Sequence, residues 1–414
     1  MKNVTFITQG CRLNQSETAS LENSFESEGY NVVSNNNNAD IAIINTCTVT
    51  ENGDADTRRL VNKLANHNPK LKIALIGCQS QVHKEQLLEL KNVKWVIGNA
   101  EKMNTHHIIA QTEKSDEKIV QTDKITRKPF TIDSSSVDQH HTRANIKIQD
   151  GCDFYCSFCV IPFARGPARS RVYEDIIREC IDLGDAGHQE IVITGINLGT
   201  YEYENKTIID VIEGVSKINT IKRIRISSIE PTTIPKKLIE MMNTNPKLCR
   251  YLHIPLQSGS EDILQAMARK YSIKEFRTFI EWAYQTVPDI CIGTDVIVGF
   301  PGETKAHFDE TVANLMTMPI HYIHVFSYSE RKFARSTKKE NKVPSKTIAE
   351  RSKILRQLSE KKRNKFDETQ TQKKVTVLFE SEKNGIWSGL TDNYVKIKHK
   401  SIKNLKNQIL TIQV

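Results

Sequence analysis

Short apolar segments alternate with helical segments through most of this 414-residue chain. Between Ala144 and Ser329 six such runs have the length and composition of strands, and a helical pattern follows each of them. This alternation is typical of parallel strands joined by helices. The six runs are residues 145–148, 190–194, 223–227, 251–254, 291–298 and 322–326. Because the stretch is too short for eight such units, we predict a partial (β/α)6 barrel with a lateral opening.

The first hundred residues show the same pattern on a smaller scale. Runs rich in Ile and Val cover residues 3–8, 40–45 and 71–76, and a polar, helix-like segment follows each. They predict an N-terminal open parallel-sheet domain, which makes the chain an α/β protein. Residues 375–414 contain short β-rich runs separated by turn residues, and they predict a small C-terminal all-β domain.

Composition indicates where these regions begin and end. Residues 114–143 are polar and contain a serine run at 134–136 and the pair His140 and His141. We predict an N-terminal domain over 1–113, a linker over 114–143, the barrel domain over 144–366 and the β domain over 367–414. The two histidines have no further ligand nearby, so we expect them to be exposed and not to bind metal.

Three cysteines follow the first barrel strand at close spacing. Cys152, Cys156 and Cys159 form a C-x3-C-x2-C pattern, in which each thiolate can bind one iron of a cubane cluster. The fourth iron then has no protein ligand and can bind a reactant. Zinc is the alternative, but structural zinc sites usually have four ligands, and no fourth Cys or His follows closely. The spacing therefore favours an iron–sulfur cluster with one open iron at these catalytic cysteines.

Three other cysteines each follow one of the N-terminal strands. Because the carboxyl ends of parallel strands share one edge of a sheet, Cys11, Cys47 and Cys78 are expected to converge there. The alternative is that they are small buried residues of the core. Their common position favours a second three-cysteine iron–sulfur cluster, which gives two 4Fe–4S clusters in the chain.

Nothing in the chain indicates secretion or membrane insertion. No secretory signal is visible, and no apolar run approaches the length of a membrane span. We therefore expect a cytoplasmic protein with no membrane partner, in which the nine cysteines are ligands or core residues and not disulfides. Cys180, Cys249 and Cys291 have no partner at ligand spacing and are expected to pack in the core.

The ends of the barrel strands carry groups that suit a nucleoside cofactor. Gly195 permits close backbone approach, Ser228 and Glu230 offer a hydroxyl and a carboxylate, and Gln257 offers an amide. Residues 299–304 resemble a phosphate-binding loop but lack its lysine, and they fit a plain helix start equally well.

Positive charge is concentrated near the carboxyl end. Residues 331–374 contain sixteen Lys and Arg against five Asp and Glu, whereas the whole chain carries a net charge of +9. Such a run is often only a solvated helix, but a β domain follows it, and clustered cations suit nucleic-acid phosphate. We expect Lys361, Lys362 and Arg363 to contact nucleic-acid phosphate.

The cysteine pattern with Phe158 before its last cysteine resembles the radical S-adenosylmethionine enzymes, and the preceding three-cysteine domain resembles their methylthiotransferase branch. The segments NTCTVT, GCDFYCSFCVIPFARGPARSR, LHIPLQSGS and DVIVGFPGET follow that branch, and the tail resembles its RNA-binding TRAM domain. The resemblance covers nearly the whole chain. One departure is the loop 329–336, whose role we leave open.

The resemblance implies a radical S-adenosylmethionine barrel that binds this cofactor, with Phe158, Gly195, Ser228, Glu230 and Gln257 as candidate contacts. It also implies an electron donor, which the sequence does not identify, and no DNA partner. NTCTVT and ARGPARSR are most similar to the branch that adds a methylthio group at carbon 2 of threonylcarbamoyladenosine 37 of tRNA. Arg165, Arg169 and Arg171 are then candidates for contacts to phosphate or to the cofactor carboxylate.

Three alternatives stay open. The same chemistry could act on isopentenyladenosine of tRNA, or on an aspartate of a ribosomal protein. The third alternative is a non-catalytic iron–sulfur protein that binds RNA.

Overall fold

A computed structural model describes residues 1–34, 38–132 and 141–414 of the chain. It divides into two compact units. Unit 1 comprises Met1–Gln139, Asn145–Leu183 and Ser329–Thr337, and unit 2 comprises His140–Ala144, Gly184–Tyr328 and Lys338–Val414. Of the predicted linker, the serine run 134–136 and His140 lie outside the described residues, and His141 is exposed. The predicted division into four segments stays a prediction.

Unit 1 is built on a six-stranded parallel sheet with the strand order β2-β1-β3-β4-β5-β6. Its strands are β1 Asn3–Thr8, β2 Asn31–Val32, β3 Ile41–Thr46, β4 Lys72–Gly77, β5 Val93–Ile97 and β6 Ile119–Gln121. All six residues of β3 are buried, because Ile41 and Ile43 pack in one apolar layer while Ala42 and Ile44 pack in another. This burial on both faces explains the continuous apolar runs of the sequence, and the predicted open parallel sheet is confirmed.

Helices and short strands complete unit 1. The helices are α1 Arg12–Ser27, α2 Glu51–His67, α3 Cys78–Val82, α4 Lys84–Leu88, α5 Thr105–Thr112, α6 Ile161–Arg165 and α7 Tyr173–Asp185. The remaining strands are β8 Gln149–Asp150 and β9 Arg169–Ser170, while β7 Arg143–Lys147 begins in unit 2 and continues into unit 1. α2 begins where the Thr50 side chain accepts a hydrogen bond from the Gly53 N–H, a typical helix cap.

Unit 2 contains the other alternating strands and helices. The strands are β10 Glu190–Thr194, β11 Glu202–Tyr203, β12 Lys206–Thr207, β13 Arg223–Ile226, β14 Tyr251–His253, β15 Cys291–Val298 and β16 Tyr322–Ser327. The helices are α8 Ile208–Ser216, α9 Lys236–Thr244, α10 Glu261–Ala266, α11 Ile273–Thr286, α12 Lys305–Thr317 and α13 Ser345–Glu368. β10 pairs in parallel with β13, and β15 pairs in parallel with β14 and β16, while a bridge between Ser228 and His253 joins β13 to β14. With β7, these strands are the six of the predicted partial barrel, which is confirmed.

The chain ends in a four-stranded antiparallel sheet, as predicted. Its strands are β17 Lys374–Lys383, β18 Ile386–Thr391, β19 Lys396–Lys400 and β20 Ile409–Gln413, in the order β19-β18-β17-β20. Phe379 and Trp387 belong to the same apolar cluster as Tyr251 and Tyr322 of the barrel strands. Buried Arg225 donates to the Thr391 carbonyl at 3.1 Å. The sheet is therefore packed firmly on the barrel strands of unit 2.

None of the helices in the described ranges is both long enough and apolar enough to cross a membrane.

Candidate active site

The N-terminal cysteines lie at the carboxyl ends of three neighbouring strands. β1, β3 and β4 are adjacent in the sheet, and Cys11, Cys47 and Cys78 follow them along the chain. Gly10 lies directly against Cys47, because a Cβ at Gly10 would be only 2.8 Å from the Cys47 sulfur. Burial and the neighbouring Cys78 and Cys11 thiols raise the pKa of Cys47 to about 12. The fold thus brings together three thiols that are more than thirty residues apart in sequence.

The second cysteine set lies in the loop between β8 and α6. Gly151 opens this loop with φ +72°, and a Cβ there would meet the Pro167 carbonyl oxygen at 2.0 Å, so only glycine fits. All three cysteines are half-buried. The Ile161 N–H donates to the Cys159 sulfur at 3.4 Å. Hydrogen bonds of this kind to sulfur tune the reduction potential of an iron–sulfur cluster.

Both cysteine sets belong to unit 1, and Cys78 packs against the segment that follows the second set. Its side chain packs in one apolar cluster with Val160 and Ala164, and Val160 directly follows Cys159. The Asn99 side-chain amide lies 3.5 Å from the Cys78 sulfur and donates to the Ala164 carbonyl at 2.7 Å. The two loops that sequence reasoning treated separately therefore form one continuous site region.

Neither cysteine set has the close spacing that a single zinc ion would need. With Zn–S bonds of about 2.3 Å, a tetrahedral zinc would hold its sulfur ligands roughly 3.8 Å apart. In the described part of the chain, the two groups of three potential ligands within 4.8 Å of one another contain no cysteine. In a cubane cluster each thiolate binds a separate iron, so close approach of the three sulfurs is not required.

The segment Ser329–Thr337, which we call the return loop, contacts the loop behind Cys47. The Ser329 hydroxyl accepts a hydrogen bond from the Glu51 N–H at 2.9 Å. Arg331 is buried and pairs with Asp54 at 2.6 Å. Sequence reasoning left this segment without a role, because nothing local shows that its arginine returns to a helix 277 residues earlier.

The return loop also contacts the other cysteine loops. Lys332 donates to the Val82 carbonyl at 3.0 Å, at the end of the helix that begins with Cys78. Arg335 donates to the Tyr155 carbonyl at 2.8 Å, and the Ser336 N–H donates to the Ser157 carbonyl at 2.8 Å. The loop therefore ties together the segments that follow Cys47 and Cys78 and the loop that contains the second cysteine set.

The four predicted cofactor contacts of the barrel lie at the carboxyl ends of neighbouring strands in unit 2. Gly195 directly follows β10, Ser228 lies two residues after β13, and Gln257 has φ +71° just beyond β14. Glu230 forms an ion pair with Arg269, and burial raises the pKa of this carboxyl despite that pairing. Phe158 is half-buried within the cysteine loop of unit 1. Their roles as cofactor contacts stay predictions.

The sequence analysis did not predict a cluster of polar side chains on β14, β15 and β16. An oxygen of Asp295 lies 2.8 Å from His253 and 3.4 Å from His324, and the other nitrogen of His253 lies 2.9 Å from the Tyr322 hydroxyl. Burial alone would raise the pKa of Asp295, but the two histidines hold it well below its usual value. In the sequence this cluster could have been noticed from Asp295, a carboxylate within the mostly apolar strand β15.

The prediction that Arg165 and Arg171 contact phosphate is wrong. Arg165 is almost fully buried and donates to Glu17 and Asp150, each at 3.0 Å. Arg171 is fully buried and pairs with Asp175 and a second carboxylate of α7. Both guanidiniums are occupied by carboxylates inside unit 1.

The third arginine of this group, Arg169, is also paired. It donates to Asp150 at 3.1 Å and lies over the Phe130 ring. Its role stays open.

Residues 345–368 of the basic run form helix α13, and two of the three cations named for RNA contact are not free. Lys362 donates to the Met318 carbonyl at 3.0 Å, and burial with the nearby Lys365 lowers its pKa to about 8. Arg363 donates to Asp367 and to a backbone carbonyl of the C-terminal sheet. Of the three cations named for RNA contact, only Lys361 is exposed.

The segment 299–304 is a helix start and not a phosphate cradle. The Thr304 side chain accepts a hydrogen bond from the His307 N–H at 3.3 Å and caps α12. Glu303 accepts from the Gly299 N–H at 3.2 Å and pairs with buried Arg351, so the loop is filled by its own carboxylate.

Comparison with known proteins agrees with this architecture. Residues 146–315 match the family model of the radical SAM superfamily, and residues 3–98 match a model described as uncharacterized protein family UPF0004. A solved radical S-adenosylmethionine methyltransferase of Kitasatospora setae matches with a TM-score of 0.56 at 13% identity, over 79% of this chain and 75% of that chain. At this identity the match shows the fold alone.

Curated relatives align along nearly the whole chain. A threonylcarbamoyladenosine tRNA methylthiotransferase of Aquifex aeolicus is 36% identical over 97% of this chain and 98% of its own. The enzyme of that name in Bacillus subtilis is 32% identical over 100% of this chain and 94% of its own. A tRNA-2-methylthio-N6-dimethylallyladenosine synthase of Thermodesulfovibrio yellowstonii is 31% identical over 87% of this chain and 84% of its own.

The barrel and the family matches define a radical S-adenosylmethionine enzyme with an additional N-terminal domain. The chain belongs to the methylthiotransferase family of these enzymes and is a transferase. Its cofactors are S-adenosylmethionine and two 4Fe–4S clusters, as predicted. Which cysteines bind each cluster stays a prediction.

Proposed function

We propose that this enzyme inserts a methylthio group at carbon 2 of N6-threonylcarbamoyladenosine at position 37 of tRNA. The observation that carries the proposal is the packing of Cys78 against Val160, the residue after Cys159, which brings the loops of the two cysteine sets together within unit 1. A reaction that uses one cluster to make a radical and another to deliver sulfur needs both centres near one substrate.

We assign Cys152, Cys156 and Cys159 to the cluster that binds S-adenosylmethionine, and Cys11, Cys47 and Cys78 to the auxiliary cluster. When bound, the clusters supply the electron that cleaves the cofactor to a 5′-deoxyadenosyl radical and the site that carries the transferred sulfur. The chain's own part is to hold the two loops in place. Asn99 donates to Ala164 behind Cys78, and the return loop donates to the Tyr155 and Val82 carbonyls.

We place the S-adenosylmethionine contacts on Phe158, Gly195, Ser228, Glu230 and Gln257. Gly195 leaves room for close approach, and Ser228 and Gln257 offer hydrogen-bonding groups at one edge of the barrel strands. Glu230 is held in place by Arg269. Its carboxyl oxygens can accept a hydrogen bond from a cofactor hydroxyl or amine, and burial raises its pKa.

We propose that the C-terminal sheet is a TRAM-like module that holds tRNA, together with the exposed cations of α13, and that the enzyme works in the cytoplasm. The substrate choice rests on relatives of the threonylcarbamoyladenosine class at 32–36% identity over nearly full length. Dimethylallyladenosine-modifying relatives match at 29–31%, which makes that substrate the second candidate.

Nucleoside mass spectrometry tests the proposal. In tRNA from a strain that lacks this gene, 2-methylthio-N6-threonylcarbamoyladenosine should disappear and its unthiolated precursor should accumulate. The chain, returned on a plasmid, should restore the modification, and a Cys156→Ala variant should not. Loss of the dimethylallyl derivative instead would select the second candidate. Unchanged tRNA nucleosides would overturn both and leave the ribosomal-protein substrate.

A further inference from the structure

Three exposed aromatic rings form a contiguous patch in unit 1. Tyr155, Phe163 and Phe333 are 50%, 43% and 56% exposed. Several large apolar side chains are exposed in the described part of unit 1, and these three are the aromatic ones. Tyr155 and Phe163 pack edge to face with centroids 6.4 Å apart, and Phe163 and Phe333 pack at 5.2 Å. We call these three residues the aromatic surface.

The backbone holds two of these rings in an unusual conformation. Tyr155 has φ +51° and Phe333 has φ +68°, and bulky residues rarely adopt this left-handed region. Both are fixed by their neighbours, because Arg335 donates to the Tyr155 carbonyl at 2.8 Å and Ala334, next to Phe333, is buried. Strain of this kind is maintained mainly where a site requires a fixed geometry.

Positive charge surrounds the aromatic surface. The Lys332 ammonium lies 5.1 Å from the Phe333 ring centroid, and exposed Arg335 touches Tyr155. Exposed Arg127 pairs with Asp153 at 2.5 Å, two residues before Tyr155 in sequence. Against these three cations stand two exposed carboxylates, Asp153 of the cysteine loop and Glu330 of the return loop.

Exposed rings with cations beside them are the features with which proteins bind unpaired nucleotides. Bases stack on the aromatic faces, and Lys and Arg neutralise the phosphates between them. A protein partner would be expected to cover apolar side chains without needing this surplus of cations.

We infer that the aromatic surface is a stacking platform for unpaired RNA bases that flank the modified adenosine. This inference rests on the proposed function and extends it to the recognition of the anticodon loop. An adenosine that enters the active site must leave its stack, and its neighbours lose a stacking partner. Tyr155 lies between Cys152 and Cys156, so bases stacked on this surface would lie next to the catalytic loop.

Substitution of Phe333 tests the platform with a matched pair of variants. Phe333→Leu keeps an apolar side chain but removes the ring, whereas Phe333→Tyr keeps the ring. The probe is a fluorescein-labelled anticodon stem-loop RNA with unthiolated N6-threonylcarbamoyladenosine at position 37, and the measurement is its Kd by anisotropy with the reconstituted holoenzyme. Phe333→Leu should raise the Kd about tenfold, and Phe333→Tyr should stay within about twofold of wild type.

Two controls separate stacking from charge and from folding. The slope of log Kd against log salt should be the same for wild type and Phe333→Leu, because the substitution removes no cation that neutralises a phosphate. A fully paired hairpin of equal length should bind both proteins alike. Tyr284→Leu removes another exposed ring, which packs against His321 in unit 2, and should not change the Kd.

The possible results separate the platform from the proposed function. Iron content and 5′-deoxyadenosine formation without RNA should be equal in wild type and Phe333→Leu. Equal affinities of these two proteins for the stem-loop would overturn the platform. The same conclusion would follow if Phe333→Tyr lost as much affinity as Phe333→Leu, or if Phe333→Leu lost as much affinity for the paired hairpin as for the stem-loop. If the wild type binds the stem-loop through Phe333 but adds no methylthio group to it, the proposed substrate fails and the platform stands.

Discussion

At the scale of single residues, the most unusual feature is a buried charge network beside Cys78. Glu17 accepts from Lys102 at 2.5 Å, from Lys147 at 2.7 Å and from Arg165 at 3.0 Å. Asp150 pairs with Lys147 at 2.7 Å. Burial alone would raise the pKa of Glu17, but the three cations hold it well below its usual value. The carboxylate therefore stays ionised and neutralises cations that have no access to water.

Removing this carboxylate charge should destabilise unit 1 strongly. Glu17→Gln leaves three buried cations with one remaining carboxylate, and breaking a buried ion pair in this way costs about 3–5 kcal/mol. We expect a large decrease in the urea midpoint of the reconstituted protein, measured by circular dichroism under anaerobic conditions. The matched control is Glu213→Gln, which removes an exposed ion pair with Lys237 and should leave the midpoint unchanged. Equal midpoints for the wild type and Glu17→Gln would refute this account.

At the scale of secondary-structure elements, α13 carries two kinds of cation. Some are packed against the protein, and others are exposed and able to bind a ligand. Arg351 is buried against Glu303, and Lys362 donates to the Met316 and Met318 carbonyls. Lys361 and Lys365 are exposed and lie one helical turn apart on the same face of α13. Only exposed cations of this kind can exchange their counterions for RNA phosphate.

We therefore predict that the double variant Lys361→Gln, Lys365→Gln weakens tRNA binding. The slope of log affinity against log salt should fall by roughly one unit for each phosphate that the variant no longer neutralises. The comparison is Lys362→Gln, which should lower the urea midpoint because two backbone carbonyls lose their donor. This variant should leave the slope of log affinity against log salt unchanged. If the double variant keeps the wild-type slope, α13 is only a solvated helix and the stem-loop is held elsewhere.

At the scale of the whole molecule, the chain leaves unit 1 after Leu183 and returns to it at Ser329. The return loop then contacts segments next to Cys47 and Cys78 and the loop that holds the second cysteine set. Both cysteine sets thus belong to one compact unit, although the sequence separates them into two predicted domains. If each cysteine set binds its own cluster, either cluster should be removable without loss of the other.

Replacing each cysteine set by alanine should divide the reaction into two parts. The wild type should bind about eight irons after anaerobic reconstitution, and either triple variant about four. Without Cys152, Cys156 and Cys159, no 5′-deoxyadenosine should form. Without Cys11, Cys47 and Cys78, cofactor cleavage should continue while methylthio transfer stops, as measured by chromatography of both products.

Two results would contradict this division. Unchanged iron after removal of the N-terminal set would exclude the auxiliary cluster. Loss of cleavage in a folded N-terminal variant would show that the two sets do not act separately.

The sequence by itself determined the elements and the cysteine pattern. The strands of the sheet and barrel were predictable because parallel strands are buried on both faces and therefore appear as continuous apolar runs, as in β3. Cys11, Cys47 and Cys78 could be grouped from sequence because each follows such a strand, and strand ends share an edge.

Only the tertiary structure decided which charged groups are free to bind a ligand and which are paired inside the protein. Arg165 and Arg171 have the same local signature as phosphate-binding arginines, yet Glu17, Asp150 and Asp175, distant or local in sequence, neutralise them. Likewise, Phe333 becomes part of a surface only because the return loop brings it against Phe163, 170 residues earlier. The physical reason is that a charge or an aromatic ring acts according to its neighbours in space, and long-range contacts leave no periodic pattern in the sequence.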